Sequence, residues 1–382
     1  MLLHLTRDHP PPGIGGLSTA IGGLARAFEE TGRPCAVVSF DAWRPSRRDP
    51  NATTPEWIEG PWREHLLRLT DVGQLEAARD VAASLEPAPN AVVIHDPLFW
   101  EWGEELARSW DAKTVAFVHV LHAAMNRLRE VDRPTLSLEA QLVALKRADR
   151  VLAPSRAAAD LLLVDHPEVV DKLGVALLGV HDSAEARAVV ESETRATSTT
   201  VLHVGRFGDV KGTDLLGEVA RRVLAAREDV VFEVAGGLPE SGKRERRWWR
   251  RLLEAFPEDQ RDRFRFLGWL DEEELRATHA RAACFLAPSR IETLGLALTE
   301  ARLLGTPVVT TDIPAFTQQV EHEVTGLIGS TGSPDGLAEL VFATLDDRDA
   351  AMRRARAAAE RVRRDHDWSR LVAVHESLGR LG

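Results

Sequence analysis

Residues 282–310 read AACFLAPSRIETLGLALTEARLLGTPVVT. An apolar run from Ala283 to Ala287 stops at Pro288, a polar turn carries Glu292 towards a helical pattern from Leu294 to Leu304, and Gly305-Thr306-Pro307 resets the chain for a second apolar run. The pattern predicts strand, loop, helix, turn, strand, the unit from which parallel α/β sheets are built. Glu292, in the loop, and Glu300, about two turns into the helix, fall on nearly the same side. Two carboxylates therefore flank a helix N-terminus whose free N–H groups can hold an anion.

Outward from this stretch the same unit recurs. Met1 to Thr6, Pro34 to Phe40, Ala91 to Ile94, Thr114 to Val118 and Val151 to Ala153 are short apolar runs separated by segments of helical spacing. Such alternation implies a parallel sheet covered by helices on both faces, with ligands beyond the C-terminal ends of the strands. His95 and His119 each close a strand at such an end. A lone histidine is commonly a satisfied core group, whereas a strand-end position suits a cleft-facing role, for which His122 competes with His119. Residues 41–65, rich in Pro, Arg and Trp, read as a long excursion rather than core, either functional or solvent-covering. ESETRATSTT, residues 191–200, lacks apolar periodicity and reads as a linker, after which the strand and helix pattern restarts at Val201.

The chain's 382 residues exceed the usual size of one hydrophobic core. The expected organisation is α/β: two Rossmann-like domains, residues 1–190 and 199–365, holding a ligand in the cleft between them, followed by residues 366–382. Within the second part, AAMRRARAAAERVRR at 350–364 is almost entirely polar or Ala and reads as a solvent-exposed helix. A net charge of -11 disfavours a nucleic-acid binder, since phosphate backbones need a basic face. Cys35 and Cys284 lie far apart in apolar runs, the pattern of neither a disulfide framework nor a metal site, so a reduced, cytoplasmic setting is expected. No secretory leader is legible, because the N-terminal apolar run breaks at Arg7-Asp8-His9-Pro10.

Several groups can carry chemistry. Gly205-Arg206 and Lys211-Gly212 put two cations on the loop after the first strand of the second domain, and a guanidinium fork with an ammonium matches a diphosphate. An ordinary surface loop can also hold an Arg and a Lys, but this lysine is one of only five in the chain. Glu292 and Glu300 read as a general acid and base pair or, in better accord with the basic loop, as acceptors for the hydroxyls of a ribose and a sugar on either side of that diphosphate. Glu300 lies amid Leu296, Leu298, Leu303 and Leu304, where a carboxylate is costly unless paired or bound to a ligand. Near the N-terminus, Gly13, Gly15 and Gly16 follow the first strand and precede a helix, which permits either a phosphate-approaching loop or a simple tight turn. The basic stretch from Lys243 to Arg251, KRERRWWRR, is a candidate for weak membrane-surface contact and equally reads as a solvated helix with two packed tryptophans. The acidic runs at 271–274 and 346–349 join helices, where carboxylates cap well, so no metal is assigned.

Together these pieces resemble the retaining glycosyltransferases of the GT-B fold, family 4, over nearly the whole chain. Pro12-Gly13-Ile14-Gly15-Gly16-Leu17 resembles the family's glycine loop, which approaches the donor phosphates, and Val118-His119 is similar to the histidine that contacts the donor sugar. Arg206 and Lys211 match the diphosphate-binding pair, and Phe266-Leu267-Gly268-Trp269 resembles the segment whose backbone meets the nucleobase. Pro288-Ser289 and the seven-residue gap between Glu292 and Glu300 match the most specific signature. The resemblance implies that Glu292 binds the donor sugar and Glu300 the ribose, and that the helix after Trp368 crosses back onto the first domain. Thr293-Leu294, before Gly295 and Leu296, departs from the Gly-Phe common in the family where the loop backbone meets the sugar, and Leu178-Gly179-Val180-His181-Asp182 lacks the usual asparagine. The implied activity is metal-independent transfer, with retention, of a hexose-type sugar from a UDP- or GDP-linked donor to a hydroxyl of a small-molecule or glycan acceptor. His119, Arg206, Lys211 and Glu292 are the catalytic candidates, no cofactor is expected, and the protein is expected to be a monomer or homodimer. A sugar-nucleotide 2-epimerase of the same fold and a non-catalytic partner subunit are the alternatives.

Overall fold

A computed structural model of the protein describes residues 1–7, 15–40, 57–59, 64–69, 75–131, 135–190, 195, 197–236 and 243–378. Pro12, Gly13 and Ile14 of the expected glycine loop lie outside the described residues, as do residues 41–56 and 191–194. The chain divides into two compact units, Met1–Gly179 with Asp367–Gly382, and Val180–His366.

The first unit is built on β1 (Leu2–Thr6), β2 (Cys35–Phe40), β3 (Trp57–Glu59), β4 (Glu64–Leu69), β5 (Ala91–Ile94), β6 (Lys113–Phe117), β7 (Arg150–Ala153) and β8 (Leu173–Val175), in the spatial order β3-β4-β2-β1-β5-β6-β7-β8. Every pairing is parallel except β3 with β4. All residues of β1 and β5 are buried, as expected of central strands covered on both faces. The Gly16–Glu30 helix turns Ile21, Leu24 and Phe28 inwards, and the Trp368–Leu378 helix packs on it. Their closeness depends on glycine: a Cβ at Gly23 would lie 2.2 Å from the six-membered ring of Trp368, and one at Gly179 would lie 2.5 Å from its five-membered ring.

The second unit contains β9 (Thr200–Val204), β10 (Val231–Ala235), β11 (Phe264–Gly268), β12 (Cys284–Ala287), β13 (Val308–Thr311) and β14 (Leu327–Gly329), all parallel in the order β11-β10-β9-β12-β13-β14. Its core joins Val201, Phe232, Val234 and Leu286 from the sheet to Leu216 and Val219 of the Thr213–Ala226 helix. The stretch at 282–310 therefore folds as its pattern predicts, with the Leu296–Leu303 helix between β12 and β13.

Three expectations need correction. Residues 41–65 are not wholly outside the sheet, because β3 and the start of β4 fall among them; their charged residues hide the alternation, and sheet edges tolerate charge. The passage between units lies at Gly179–Val180, ahead of residues 191–200. Here the Ala184–Val190 helix packs on the Glu272–Arg281 and Leu296–Leu303 helices. Arg195, within the stretch expected to link the domains, is 2% exposed and donates to the carbonyls of Gly305, His279 and Leu304. Finally, the Arg348–Asp365 helix buries Ala351, Ala355, Ala358, Ala359 and Val362. These small residues form a stripe at helical spacing, so a composition that reads as exposed conceals a face packed on the Leu296–Leu303 and Pro334–Asp346 helices. Among the described residues no helix is long and apolar enough to cross a membrane.

Candidate functional site

In the second unit, the loops that follow β9 and β12 meet. Gly212 takes φ +64° to turn the first loop into the Thr213–Ala226 helix, and a Cβ there would lie 1.9 Å from the Pro288 carbonyl oxygen. Both the left-handed backbone and the close approach require glycine. The loops are fastened by Arg290, whose amide donates to the Val210 carbonyl at 2.8 Å and whose guanidinium grips Asp214 through both carboxylate oxygens at 2.6 and 2.8 Å. This clamp brings Lys211 Nζ to 2.5 Å from Glu292 Oε1, which also accepts the Ser289 hydroxyl at 3.0 Å. With the Glu292 side chain only 12% and that of Lys211 30% exposed, the pair is shielded from water far more than a surface ion pair. Glu292 Oε2 has no partner among the described residues and remains an acceptor.

Gly295, at φ +88°, begins the Leu296–Leu303 helix, and no side chain among the described residues caps that N-terminus. Its first N–H groups consequently remain available to an anion, with the positive end of the helix dipole behind them. Leu294 is buried, and its carbonyl accepts from Gln319 Nε2 at 2.5 Å. Gln319 Oε1 in turn accepts from Thr299 Oγ1 and from the buried Arg302, which burial lowers to a pKa of about 10. The Leu294 side chain thus faces the core, and only Thr293 of the departing dipeptide is partly exposed.

Glu300 lies on the same helix with no hydrogen-bond partner for its carboxyl among the described residues, and burial, reinforced by Glu272, raises its pKa to about 7. Its carboxyl accordingly presents both an acceptor and, near neutral pH, a proton. A cavity of about 20 Å³ lies beside the ion pair, lined by His203, Lys211, Ser289, Glu292, Gly295 and Ala297 among others. His203 Nδ1 lies 3.0 Å from the Leu286 carbonyl, which can only accept, so Nδ1 carries the proton and the buried, unpartnered Nε2 is a lone-pair acceptor. Burial lowers its pKa to about 4.

The remaining predicted residues lie further out or in the first unit. Arg206 is exposed, without an ion-pair partner among the described residues. Gly268 ends β11 at φ +70° with open space where a Cβ would stand, and Trp269 beside it is 42% exposed. Of the basic helix, Arg246, Arg247 and Arg250 are exposed, while Trp248 and Trp249 pack against the core. Gly15, at φ +108°, begins the Gly16–Glu30 helix, again without a side-chain cap. His119 is half-buried, stacked on Phe117 at 4.3 Å between ring centroids and hydrogen-bonded to His95 at 2.8 Å. Burial lowers its pKa to about 3, so it is a neutral polar group and not a cation. His122 begins the next helix, where its amide meets Gln141 Oε1 at 3.3 Å.

Lys211, Glu292 and Gly295 are therefore assembled at one place, while His119, Gly15 and Gly16 belong to the other unit. His203, Gln319 and the Arg290–Asp214 clamp escape sequence reasoning. His203 left a faint signal, a histidine interrupting an apolar strand; Gln319 and Arg290 left none. Among the described residues no three His, Cys, Asp or Glu side chains cluster as metal ligands.

Comparison with known proteins agrees with this architecture. Residues 14–180 match the family described as Glycosyltransferase Family 4, and residues 186–361 that described as Glycosyl transferases group 1. The chain is 26% identical to the glycogen synthase of Mycobacterium tuberculosis across 98% of its own length and 92% of the relative's. It is 31% identical to the D-inositol 3-phosphate glycosyltransferase of Mycobacteroides abscessus across 67% of its length and 59% of that protein's. Among solved structures, sucrose-phosphate synthase from Thermosynechococcus elongatus superposes with a TM-score of 0.80 at 22% identity, covering 99% of this chain and 98% of that one. HepE of Anabaena, in complex with UDP and glucose, superposes with a TM-score of 0.71 at 16% identity and full coverage of both chains (100% each). Two successive parallel α/β units, matched in turn by two family descriptions that cover most of the chain, make it a glycosyltransferase of the GT-B fold, family 4.

Proposed function

We propose that the protein transfers a hexose-type sugar from a UDP- or GDP-linked donor to a hydroxyl of a small-molecule or glycan acceptor, with retention at the anomeric carbon and without a metal. The observation that carries this reading is the meeting of Lys211, Glu292 and the uncapped helix N-terminus at Gly295. A lysine ammonium has three N–H donors, so Lys211 can keep Glu292 with one and meet a phosphate oxygen with another. Together with Arg206 and the helix N-terminus it stabilises the charge that develops on the departing diphosphate, the largest single contribution in reactions of this kind. The free oxygen of Glu292 accepts from a sugar hydroxyl, and Glu300 accepts from the ribose. Gly268 and Trp269 offer an accessible strand end to the base. The departing phosphate takes the acceptor proton, so no protein base is required.

Support for a nucleotide sugar comes from the neighbour solved with UDP and glucose. One observation favours the 2-epimerase reading: a carboxyl raised to about 7, as Glu300 is, suits acid and base work near neutrality. Incubating the protein with UDP- and GDP-hexoses, with and without a panel of hydroxyl acceptors, separates the two. Nucleoside diphosphate and a glycosylated product appear only when acceptor is present if transfer is right. An epimerised donor formed without acceptor overturns it.

A further inference from the structure

Four histidines of the first unit converge. His4 lies within β1, His95 one residue beyond β5, His119 two residues beyond β6, and His375 on the Trp368–Leu378 helix, with Phe28 and Phe117 packed among them. Three are joined in series: His4 Nδ1 to His95 Nε2 at 3.0 Å, and His95 Nδ1 to His119 Nε2 at 2.8 Å. Burial holds His4 and His95 well below the usual histidine range and lowers His119 to about 3, so near neutral pH each ring carries one N–H.

Each bond in the series needs one proton, and a ring that accepts through one nitrogen must carry its proton on the other. If the protons ran from His119 towards His4, His4 would accept at Nδ1 and bury an N–H at Nε2, a position with no partner. If they run from His4 towards His119, the same position holds only a lone pair. Buried N–H groups without an acceptor are the rarest defect in folded proteins, so the second order is favoured. His375 does not alter this, because its own Nδ1 faces the Leu371 carbonyl at 2.9 Å and must carry its proton there.

We propose that His4, His95 and His119 form one hydrogen-bonded chain with a single proton order, in which His95 is a positioning residue that holds His119 in the Nδ1–H tautomer. His119 Nε2 is then occupied by His95, and whatever meets Nδ1, whether a group of the chain itself or of a bound molecule, must be an acceptor, such as a hydroxyl, carbonyl or phosphate oxygen. His119 serves as a hydrogen-bond donor and has no free lone pair with which to act as a base. That a nucleotide sugar also reaches His119 rests on the function proposed above; the tautomer does not.

The test has two arms. Long-range proton–nitrogen correlation spectra of the nitrogen-15-labelled protein at pH 7 report which ring nitrogen of each histidine is protonated. The expected result is Nδ1–H in His4, His95 and His119, against the Nε2–H form that free imidazole side chains prefer in water; Nε2–H in His119 overturns the proposal. This arm needs no variant and no substrate. In the second arm, His95→Phe, which removes the donor, is expected to lower kcat/KM for donor turnover about tenfold, the scale of one lost hydrogen bond. His95→Gln, whose amide can still donate to His119 Nε2, is expected to restore most of that loss. A folded His95→Phe variant at the wild-type rate overturns the positioning role, and an unaltered protein without turnover on any donor defeats the proposed function while leaving the tautomer result standing.

Discussion

Both units place polar residues at the C-terminal ends of parallel strands, and each holds an ion pair there, Arg7 with Asp96 in the first and Lys211 with Glu292 in the second, but only the first adds a series of neutral histidines. Beyond β5 and β6 stand His95 and His119, neutral and packed against Phe117. Beyond β9 and β12 stand Lys211 and Glu292, an ion pair formed across two clamped loops. The same topology thus yields a hydrogen-bonded series of histidine rings beside an ion pair in one unit and an ion pair between clamped loops in the other. Residue type alone does not produce the contrast: His203, in the second unit, is also neutral, because it too is enclosed. What separates the groups is whether a counter-charge meets each one when water is removed: Asp96 and Glu292 have one, and the histidine rings do not.

The contrast can be broken most forcefully through packing. Trp368 packs against both Gly23 and Gly179, and Trp368→Ala is expected to cost about 3–5 kcal/mol, the usual range for deleting a large buried aromatic side chain. Hydrogen exchange should show protection lost first in the Gly16–Glu30 and Trp368–Leu378 helices and least in β9 and β12. Uniform loss across both units would show that they do not respond separately. Next in size, Lys211→Ala is expected to lower turnover by about 10²–10³, as removal of one charge-stabilising donor does, in a protein that still folds although Glu292 has lost its partner. Near-normal turnover would remove Lys211 from the site.

The smallest effect, and the sharpest test of the comparison, is the response to pH. Glu300 has its pKa raised from 4.5 to about 7, so between those values the unfolded chain has released a proton that the folded one retains. The stability linked to Glu300 is therefore fully present below pH 4.5 and lost as pH rises through about 7. His119 is the reverse case: with its pKa lowered from 6.5 to about 3, its contribution is present above 6.5 and lost as pH falls towards 3. Acidification below neutrality should accordingly weaken the first unit while relieving Glu300 in the second. In Glu300→Gln the loss of stability on raising pH from 4.5 to 7 should shrink, measured by denaturant melts across that window. An unchanged slope would mean that Glu300 ionises freely.

Much of the fold was legible because the local rules were unambiguous. The run from Ala283 to Ala287, the breakers Pro288 and Pro307 and the helical spacing between them leave one reading, and β12, the Leu296–Leu303 helix and β13 follow it closely. Glu292 and Lys211 stood out as candidates through their motifs. Their 2.5 Å contact was not, because it depends on Gly212 letting its loop approach Pro288 and on Arg290 reaching Asp214 from 76 residues away. The Arg348–Asp365 helix misled because alanine gives little hydrophobic contrast, although its buried stripe has ordinary helical spacing.

By itself the sequence determined the alternation of strand and helix, the places where each must stop, and the presence of cations and carboxylates at strand ends. These follow from contacts between residues a few positions apart, which periodicity and breakers report directly. Tertiary structure alone decided where one unit yields to the next, why Gly23 stands in mid-helix, which strand-end groups are charged and how the histidine protons are ordered. Each of these depends on how closely remote segments approach and on how much water they exclude, and neither quantity is written in the spacing of residues along the chain.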